Sequence, residues 1–547
     1  MPFKYVIVPP LPGEHDLEGR NLTRPFRQFL HNRVRSGLDL NALNLKKGYD
    51  PTLMAGMREA VERLSRAIVN GERILIHGDY DADGLTALAL MYYALRWAGA
   101  DVVPFVPDRF NDGYGLSERG VRYAKDAGAS LILTVDCGVS SHREIDVARK
   151  MGVDVIITDH HQLPEDLPDA VVVHPQVGDY PDHGLTGVGV ALKLALALYD
   201  RLNLKREALY HLLDLVAVGT VADVGSMLGE NRLLVKHGLR VLNSNWEGNV
   251  RAAANPGLKA IAESARAGVP IGAWQIGWLI APRINAAGRM GRVNLAMELL
   301  ISKNPRRISS LVRELENLNR QRQNKQSRLM RIIRDRVDPS EPIVFVVSEE
   351  VDEGVAGILA SKLMEEFGRP AVVVSLSEGM ARGSIRGIEP FNVYEALLNA
   401  GDLFSEDENF GGHTLAGGFS IRKEKLDVLR RKFVSYAHRV SVDGEFTRTV
   451  IVDAELSPED IGPDFWMDMR HFQPYGHGFN PPVFVLRLKG KPVLTSNGYA
   501  TYLEHYERRH RFRLRLVNPH TDLSGDIVVT SLRIKDGVIY GDVLGSL

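Results

Sequence analysis

The chain has 547 residues, with 67 Lys+Arg against 68 Asp+Glu, 17 His and one Cys. That length predicts about three or four domains. A net charge of −1 with 25% charged residues excludes both a disordered acidic chain and a protein that coats nucleic acid through bulk charge. One cysteine excludes a disulfide framework and a cysteine-cluster metal site, so any metal must be held by Asp, Glu or His. The N-terminal MPFKYVIVPPLPGEHD lacks the basic and apolar regions of a secretory leader. No run of eighteen apolar residues suits a membrane span. A cytoplasmic protein without membrane contact is expected.

Residues 1–48 read as an irregular or helical extension. From residue 50 an alternation begins: an amphipathic helix over 51–69, the apolar run Ile74–Ile76, a polar loop, and a helix from Leu85 to Ala98. Further apolar runs at Val102–Val106, Leu131–Val135, Val155–Ile157 and Val171–Val173 are spaced by helix-length segments. This pattern predicts an α/β fold with a doubly wound parallel sheet, whose ligands sit beyond the carboxyl ends of the strands. Those ends read HGDYDADG, DCG, DHH and HP. Over 303–336 the spacing turns helical and the charge basic, 11 Lys+Arg against 3 Asp+Glu, as for a long helix between domains. A smaller α/β region follows, with strands at 343–348 and 370–375 around a helix at 354–367, ending in a Gly-rich stretch with GGHTLAGGF. Short alternating strands at Thr447–Val452, Val483–Leu488, Arg511–Leu516 and Asp526–Ser531 predict a small β-barrel. The domain boundaries drawn from this pattern are 1–48, 49–302, 303–338, 339–442 and 443–547.

The run His77–Gly84 is the densest chemical cluster. Its D-x-D-x-D-G pattern resembles a calcium loop, but position 12 is Leu90 where such a loop needs Glu, and the flanks are strand and helix. As a strand-end loop, it lets Asp81 and Asp83 reach two neighbouring cations, with His77 as a nitrogen ligand. Asp136 bridges the two; His160 and Asp223 complete the set. A single Asp after a strand is usually a turn former or helix cap, whereas four such ends all carrying ligand types point to metal. Mixed carboxylate and imidazole donors suit two Mn²⁺ ions, or Mg²⁺, in the clamp used for phosphoryl transfer.

The set HGDYDADG, TVDCG, TDHH and VAD resembles the motifs of the DHH phosphoesterase superfamily, and Gly411–Phe419 resembles the glycine-rich motif of its associated domain. The resemblance implies the same six ligands. It also implies that His161 faces the scissile phosphate beside Asp136 and Asp83, and that His413, with Gly411 and Gly412, contacts phosphate. Ser384 and Arg386, in the Gly-rich stretch, are counted with them as substrate contacts. Asp79 and Asp159 are assigned to orienting ligands.

Within the superfamily, Pro282–Met290 (PRINAAGRM), Asp108–Gly115, Leu185–Leu192, Gly354–Leu363 and Phe472–Phe484 (FQPYGHGFNPPVF) resemble the RecJ-type exonucleases from about residue 50 onward. Departures stand at Val351-Asp352-Glu353, Gly417 and Phe479. The implied activity is 5′→3′ hydrolysis of single-stranded DNA to 5′-mononucleotides in repair and recombination. Arg109 and Arg283, helped by Tyr114 or Asn285, are the candidates for holding a 5′ phosphate, and Arg289 is counted as a further substrate contact. In the terminal domain, period-2 alternation puts Arg511, Arg513 and Arg515 on one face near Tyr499, Tyr502 and Tyr506, as single-strand binding on an OB-like barrel needs. Implied partners are single-stranded DNA, a single-strand-binding protein and a helicase, with the chain a monomer. The alternatives are a phosphodiesterase for short oligonucleotides or cyclic dinucleotides, and a non-catalytic replication scaffold; the filled ligand positions count against the scaffold.

Overall fold

The first 48 residues carry more structure than their sequence suggests. A computed structural model describes residues 3–7, 22–109, 111–244, 255–377, 379–405, 408–412, 414–441, 446, 448–489, 493–496, 500–507, 510–517, 526–535 and 537–546. Strand β1 (Phe3–Ile7) is followed by helix α1 (Arg24–Arg35), and Pro25 sits in the helix's first turn where no amide partner is needed. The buried Phe26 of α1 lies edge-on to Phe465 and Phe484, with ring centroids 5.4 and 6.2 Å away. Arg33 grips the buried Asp453 with both arms, Nε to Oδ1 at 2.7 Å and a terminal nitrogen to Oδ2 at 2.8 Å. Within the expected irregular or helical extension, α1 is therefore packed into the core of its unit, because its apolar stripe and this ion pair have partners more than 400 residues away.

The chain divides into two compact units: Leu38–Arg320 with Phe472–Asn480, and Met1–Gly37 with Gln321–His471 and Pro481–Leu547. In the first unit, α2 (Leu40–Leu43) and a short 3-10 turn at Pro51–Leu53 precede α3 (Met57–Val69). The helix expected over 51–69 thus starts at Met57. The central sheet follows as β2 (Arg73–Gly78), β3 (Asp101–Phe105), β4 (Ala129–Val135), β5 (Asp154–Thr158) and β6 (Val171–Val173), interleaved with α4 (Ala82–Trp97), α5 (Glu118–Asp126) and α6 (His142–Lys150). All pairings are parallel, in the order β3-β2-β4-β5-β6. The chain reverses direction across the sheet between β2 and β4, which is where such sheets bind ligands. Leu75, Ile132 and Ile157 pack with Val121 and Ala124 of α5 and Ile145 and Ala148 of α6 on one face. Helix α4, buried nearly all round, and α7 (Gly187–Arg201) pack on the other face. Beyond them come α8 (Leu213–Ala222), α9 (Gly229–Ser244), α10 (Pro256–Ser264) and α11 (Ala273–Gln275), which continues through a π-helical turn at Ile276–Ile280 into α12 (Ala281–Arg289). Helix α13 (Val293–Ile301) precedes α14 (Pro305–Arg334), the long basic helix expected from the charge pattern.

The second unit holds a mixed sheet of β7 (Val344–Ser348), β8 (Ala371–Ser377), β9 (Met380–Arg386), β10 (Asn409–Gly412) and β11 (Ala416–Arg422), ordered β10-β11-β9-β8-β7. Helix α15 (Glu353–Phe367) covers one face; α16 (Val393–Leu398) and α17 (Leu426–Val440) pack on the other. Strand β12 (Arg448–Val452) pairs in parallel with β1. A seven-stranded sheet is built from β13 (Ala454–Leu456), β14 (Val483–Leu486), β15 (Val493–Ser496), β16 (Thr501–Glu507), β17 (His510–Leu516), β18 (Ile527–Lys535) and β19 (Val538–Ser546). Its order is β13-β14-β18-β19-β17-β16-β15, and among the described residues no pairing joins β13 to β15. Among the described residues, no helix is long and apolar enough to cross a membrane.

Removing Arg33 leaves the Asp453 carboxylate buried and unpaired. Arg33→Ala is therefore expected to cost about 3 kcal/mol, read as a lowered urea midpoint for the unit that contains α1.

Candidate metal centre

The parallel sheet delivers the site at the carboxyl ends of its three middle strands, β2, β4 and β5. After β2 the chain passes Gly78 and Asp79, and Asp81 caps α4, its Oδ1 accepting from the amides of Asp83 (2.9 Å) and Gly84 (3.1 Å). Asp83, on the first turn of α4, is held by the N-terminus of α7: Gly187 N–H donates to Oδ2 at 2.8 Å and Val188 N–H to Oδ1 at 3.0 Å. Asp136 follows β4 in the left-handed region at φ 63°, a conformation that costs free energy outside glycine and is held only by its surroundings. Its amide donates to the Thr158 carbonyl at 2.9 Å. The close approach of α7 needs glycine, since a Cβ on Gly187 would stand 2.3 Å from Asp136 Oδ1 and 2.6 Å from its Cβ. Likewise a Cβ on Gly219 of α8 would meet Asp83 Oδ1 at 2.6 Å.

Three overlapping groups of possible ligand atoms result, each within 4.8 Å: Asp79 with Asp81 and Asp136; Asp83 with His160 and Asp223; and Asp136 with His160 and His161. Nε2 of His160 stands 3.1 Å from Asp136 Oδ1, 3.7 Å from Asp223 Oδ2 and 3.8 Å from Asp83 Oδ2. Asp136 thus belongs to groups on both sides. Oδ1 of Asp79 and Oδ1 of Asp136 are buried and receive no hydrogen bond. Burial and mutual repulsion push the carboxyls of Asp79, Asp83 and Asp136 well above the usual carboxylate range. Burial and the Asp81 charge raise Asp223 to about 7. Carboxylates crowded this way are stabilised as anions by a divalent cation, so the donor set fits hard cations with some imidazole.

The ligand set differs from the sequence expectation at one position. His77 lies outside all three groups. It shares a strand face with Leu75 two residues earlier, so its ring is directed under α5: Nε2 is 3.4 Å from Ser117 Oγ, and a Cβ on Gly120 would be 2.6 Å from the ring. Burial lowers its pKa to about 4, leaving a neutral imidazole. Asp79, assigned to an orienting role, takes its place among the possible ligands. Asp159 does orient: Oδ1 accepts from the His160 amide (2.7 Å) and from His161 Nδ1 (2.8 Å), while Oδ2 accepts from the Val139 amide (3.0 Å). Although burial opposes both charges, this pair draws Asp159 down to about 2 and lifts His161 to about 9.

The residues expected to hold phosphate divide. Arg109 lies over the Tyr80 ring, 5.2 Å from its centroid, and the half-exposed Tyr114 meets the His161 ring edge-on at 5.1 Å. Arg289 closes α12, whose Gly288 packs against the Tyr80 carbonyl. Arg283 and Asn285 are otherwise engaged. The Arg283 guanidinium donates to Glu316 Oε1 and to the Leu279 carbonyl, both at 2.7 Å. Asn285 Oδ1 accepts from the Ala82 amide at 2.8 Å, which fixes the aspartate loop. In the other unit, Ser384 and Arg386 lie on β9, and Gly411 and Gly412 pair with Gly418 and Gly417 of β11. His413 and Tyr499 lie outside the described residues. On β17, Arg511 and Arg515 are exposed; Arg513 is half-buried, 4.8 Å over the Tyr502 ring. Glu504 and Asp542 partly balance this face.

The sequence matches the DHH family, N-terminal domain, over residues 73–220, and the DHHA1 domain over 341–439. Sheet, aspartate loops and the Asp159–His161 triplet together make this a DHH protein. Among curated relatives, the single-stranded-DNA-specific exonuclease RecJ of Escherichia coli (strain K12) is 35% identical over 486 residues, covering 84% of this chain and 82% of that one. RecJ of Bacillus subtilis (strain 168) is 38% identical over 80% of this chain and 55% of its own, and RecJ of Thermus thermophilus is 36% identical over 81% and 63%. The crystal structure of T. thermophilus RecJ in complex with Mn²⁺ superposes with a TM-score of 0.82 at 30% identity, covering 99% of this chain and 78% of that one. The chain belongs to the RecJ family. It spans little more than half the length of the Bacillus relative and under two thirds of the Thermus one.

In the metal-free protein the His161 ring is expected to titrate near pH 9 by NMR. Its ion pair contributes stability fully between about pH 3.8 and 6.5; that contribution is lost as pH rises through about 9, where His161 loses its proton, and as pH falls through about 2, where Asp159 gains one. A bound divalent cation should move this titration downward by repelling the imidazolium. Gly187→Ala, which crowds Asp136, should weaken Mn²⁺ binding by roughly 10-fold or more in calorimetry.

Proposed function

We propose that the chain is a single-stranded-DNA-specific 5′→3′ exonuclease that releases 5′-mononucleotides with two divalent metal ions, Mn²⁺ or Mg²⁺. The observation that carries this reading is the double ligand group joined at Asp136, in a chain whose RecJ relatives cover most of its length. Asp79, Asp81 and Asp136 would hold one ion; Asp83, Asp136, His160 and Asp223 would hold the other. When bound, such a pair supplies Lewis-acid stabilisation of phosphoryl oxygens and lowers the pKa of water. The chain's own residues orient the substrate. His161 donates through Nδ1 to Asp159, which leaves the Nε2 proton for a nonbridging phosphate oxygen. Arg109, Tyr114 and Arg289 are the groups we assign to the 5′ phosphate, with Ser384, Arg386, Gly411, Gly412 and His413 as further phosphate contacts.

We read the seven-stranded sheet as an OB-like single-strand-binding domain. Cross-strand register sets Tyr502 opposite Arg515 and Tyr506 opposite Arg511, which gives aromatic faces for bases beside guanidinium groups for phosphates. The same reading carries roles in DNA repair and recombination in the cytoplasm, and a helicase and single-strand-binding protein as partners. A short-oligonucleotide phosphodiesterase has no use for this sheet.

Digestion of 5′- and 3′-labelled single strands with Mn²⁺ should release labelled mononucleotide first from the 5′-labelled strand. Asp136→Ala should lower the rate by at least about 10³-fold while the protein stays folded. Mn²⁺-dependent cleavage retained in that variant would overturn the two-ion reading.

A further inference from the structure

The segment Phe472–Asn480 stands apart from its flanks: it belongs to the unit with the metal centre, while the residues before and after it belong to the other unit. It is part of the FQPYGHGF run that no step above uses. Its nine residues form a tight turn, in which the Gly476 amide donates to the Phe479 carbonyl at 2.9 Å and the Phe479 amide to the Gly476 carbonyl at 3.1 Å. Two contacts fix this turn. First, Arg232 of α9, 5% exposed, donates to the carbonyls of Pro474 (2.5 Å) and Phe472 (2.9 Å), and through Nε to that of Leu43 (3.1 Å). Its guanidinium lies 5.0 Å over the fully buried Phe479 ring, so the family departure at 479 supplies a cation–π face. Arginine is suited to this, since its planar fork can serve several carbonyls while staying charged. Second, the His477 carbonyl accepts from the Met227 amide at 2.7 Å.

Met227 lies four residues after the ligand Asp223, and the turn between them is under strain. Val224 has φ 60°, a left-handed conformation that a β-branched residue adopts at a cost of order 1–3 kcal/mol. The upstream side of the turn is tied to α8 by the Gly225 amide, which donates to the Thr220 carbonyl at 3.0 Å. The downstream side is tied by the loop. A Cβ on Gly476 would lie 3.1 Å from the Met227 side chain, and one on Gly478 would lie 3.0 Å from Ser226 Oγ. A strained ligand turn persists only when both ends are held, and Phe472–Asn480 holds the second end.

We propose that Phe472–Asn480, gripped by Arg232, is a positioning element of the metal centre that keeps Asp223 turned toward His160 and Asp83. The proposal rests on the two-ion reading of the site, and it makes one ion depend on a segment some 250 positions downstream of its ligand. Only the group containing Asp223 depends on the loop; Asp79, Asp81 and Asp136 are set by β2, β4 and α4.

The test is Mn²⁺ titration of the full chain by calorimetry, with Mn²⁺ alone as the probe. Gly478→Ala is the decisive variant, because Gly478 has φ 74° and packs on Ser226 without touching any ligand. It should weaken one of two Mn²⁺ sites by roughly 10- to 100-fold and leave the other unchanged. Arg232→Ala should do the same with a lowered melting temperature, and Arg232→Lys should restore the fold better than the weakened site. A merely structural loop would shift the melting temperature alone; both sites unchanged in a folded Gly478→Ala variant would overturn the proposal. Wild-type protein that binds two Mn²⁺ but fails to degrade single strands would instead refute the exonuclease reading, and the comparison of affinities would still decide the role of the loop.

Discussion

The site is organised by the repulsion among carboxylates gathered around Asp136. Asp79, Asp83 and Asp136 are almost wholly buried, and burial alone would favour their neutral forms. The protein counters this with fixed dipoles and charges: the amides of α7 on Asp83, the capped turn at Asp81, and an imidazolium at His161. These do not neutralise the cluster, and the residual negative charge is what selects multivalent cations. The glycines at 187 and 219 belong to the same constraint, since only they let two helices close on these oxygens.

Much of this was legible in the sequence, because a parallel sheet places its loops predictably. Five apolar runs, four of them with chemically loaded ends, were enough to assign the sheet, and the observed strands fall on those runs. Asp81, Asp83, Asp136, His160 and Asp223, read as ligands from their positions at strand and helix ends, all fall within the possible ligand groups. His77 does not, and the parity of β2 held the information: a residue two after core-facing Leu75 points into the same core. Asp79, read as an orienting group, falls within a possible ligand group because it lies just beyond the strand, where parity ends and the loop decides direction. The engagement of Arg283 by Glu316 joins residues 33 positions apart on different helices, which no local pattern encodes. The packing of α1 was not readable for the same reason, since Arg33 finds Asp453 only through tertiary packing.

Near-zero net charge is a sum of opposed regions. The basic excess of α14 and of β17 is offset by an acidic remainder that includes the metal centre. Long-range attraction for a polyanion therefore comes from local patches rather than the whole protein, and it weakens within about a Debye length of 8–10 Å at physiological salt.

The discontinuity of the first unit bears on how the chain is made. At roughly 5–20 residues per second, about 250 residues separate emergence of the Asp223 turn from emergence of the loop that grips it, on the order of ten to fifty seconds. During that interval the ribosome-bound chain can complete the sheet and the Asp136 loop, yet the Met227 amide and the Arg232 guanidinium still lack their carbonyls. Vectorial synthesis thus delays completion of the centre until most of the other unit has also left the ribosome.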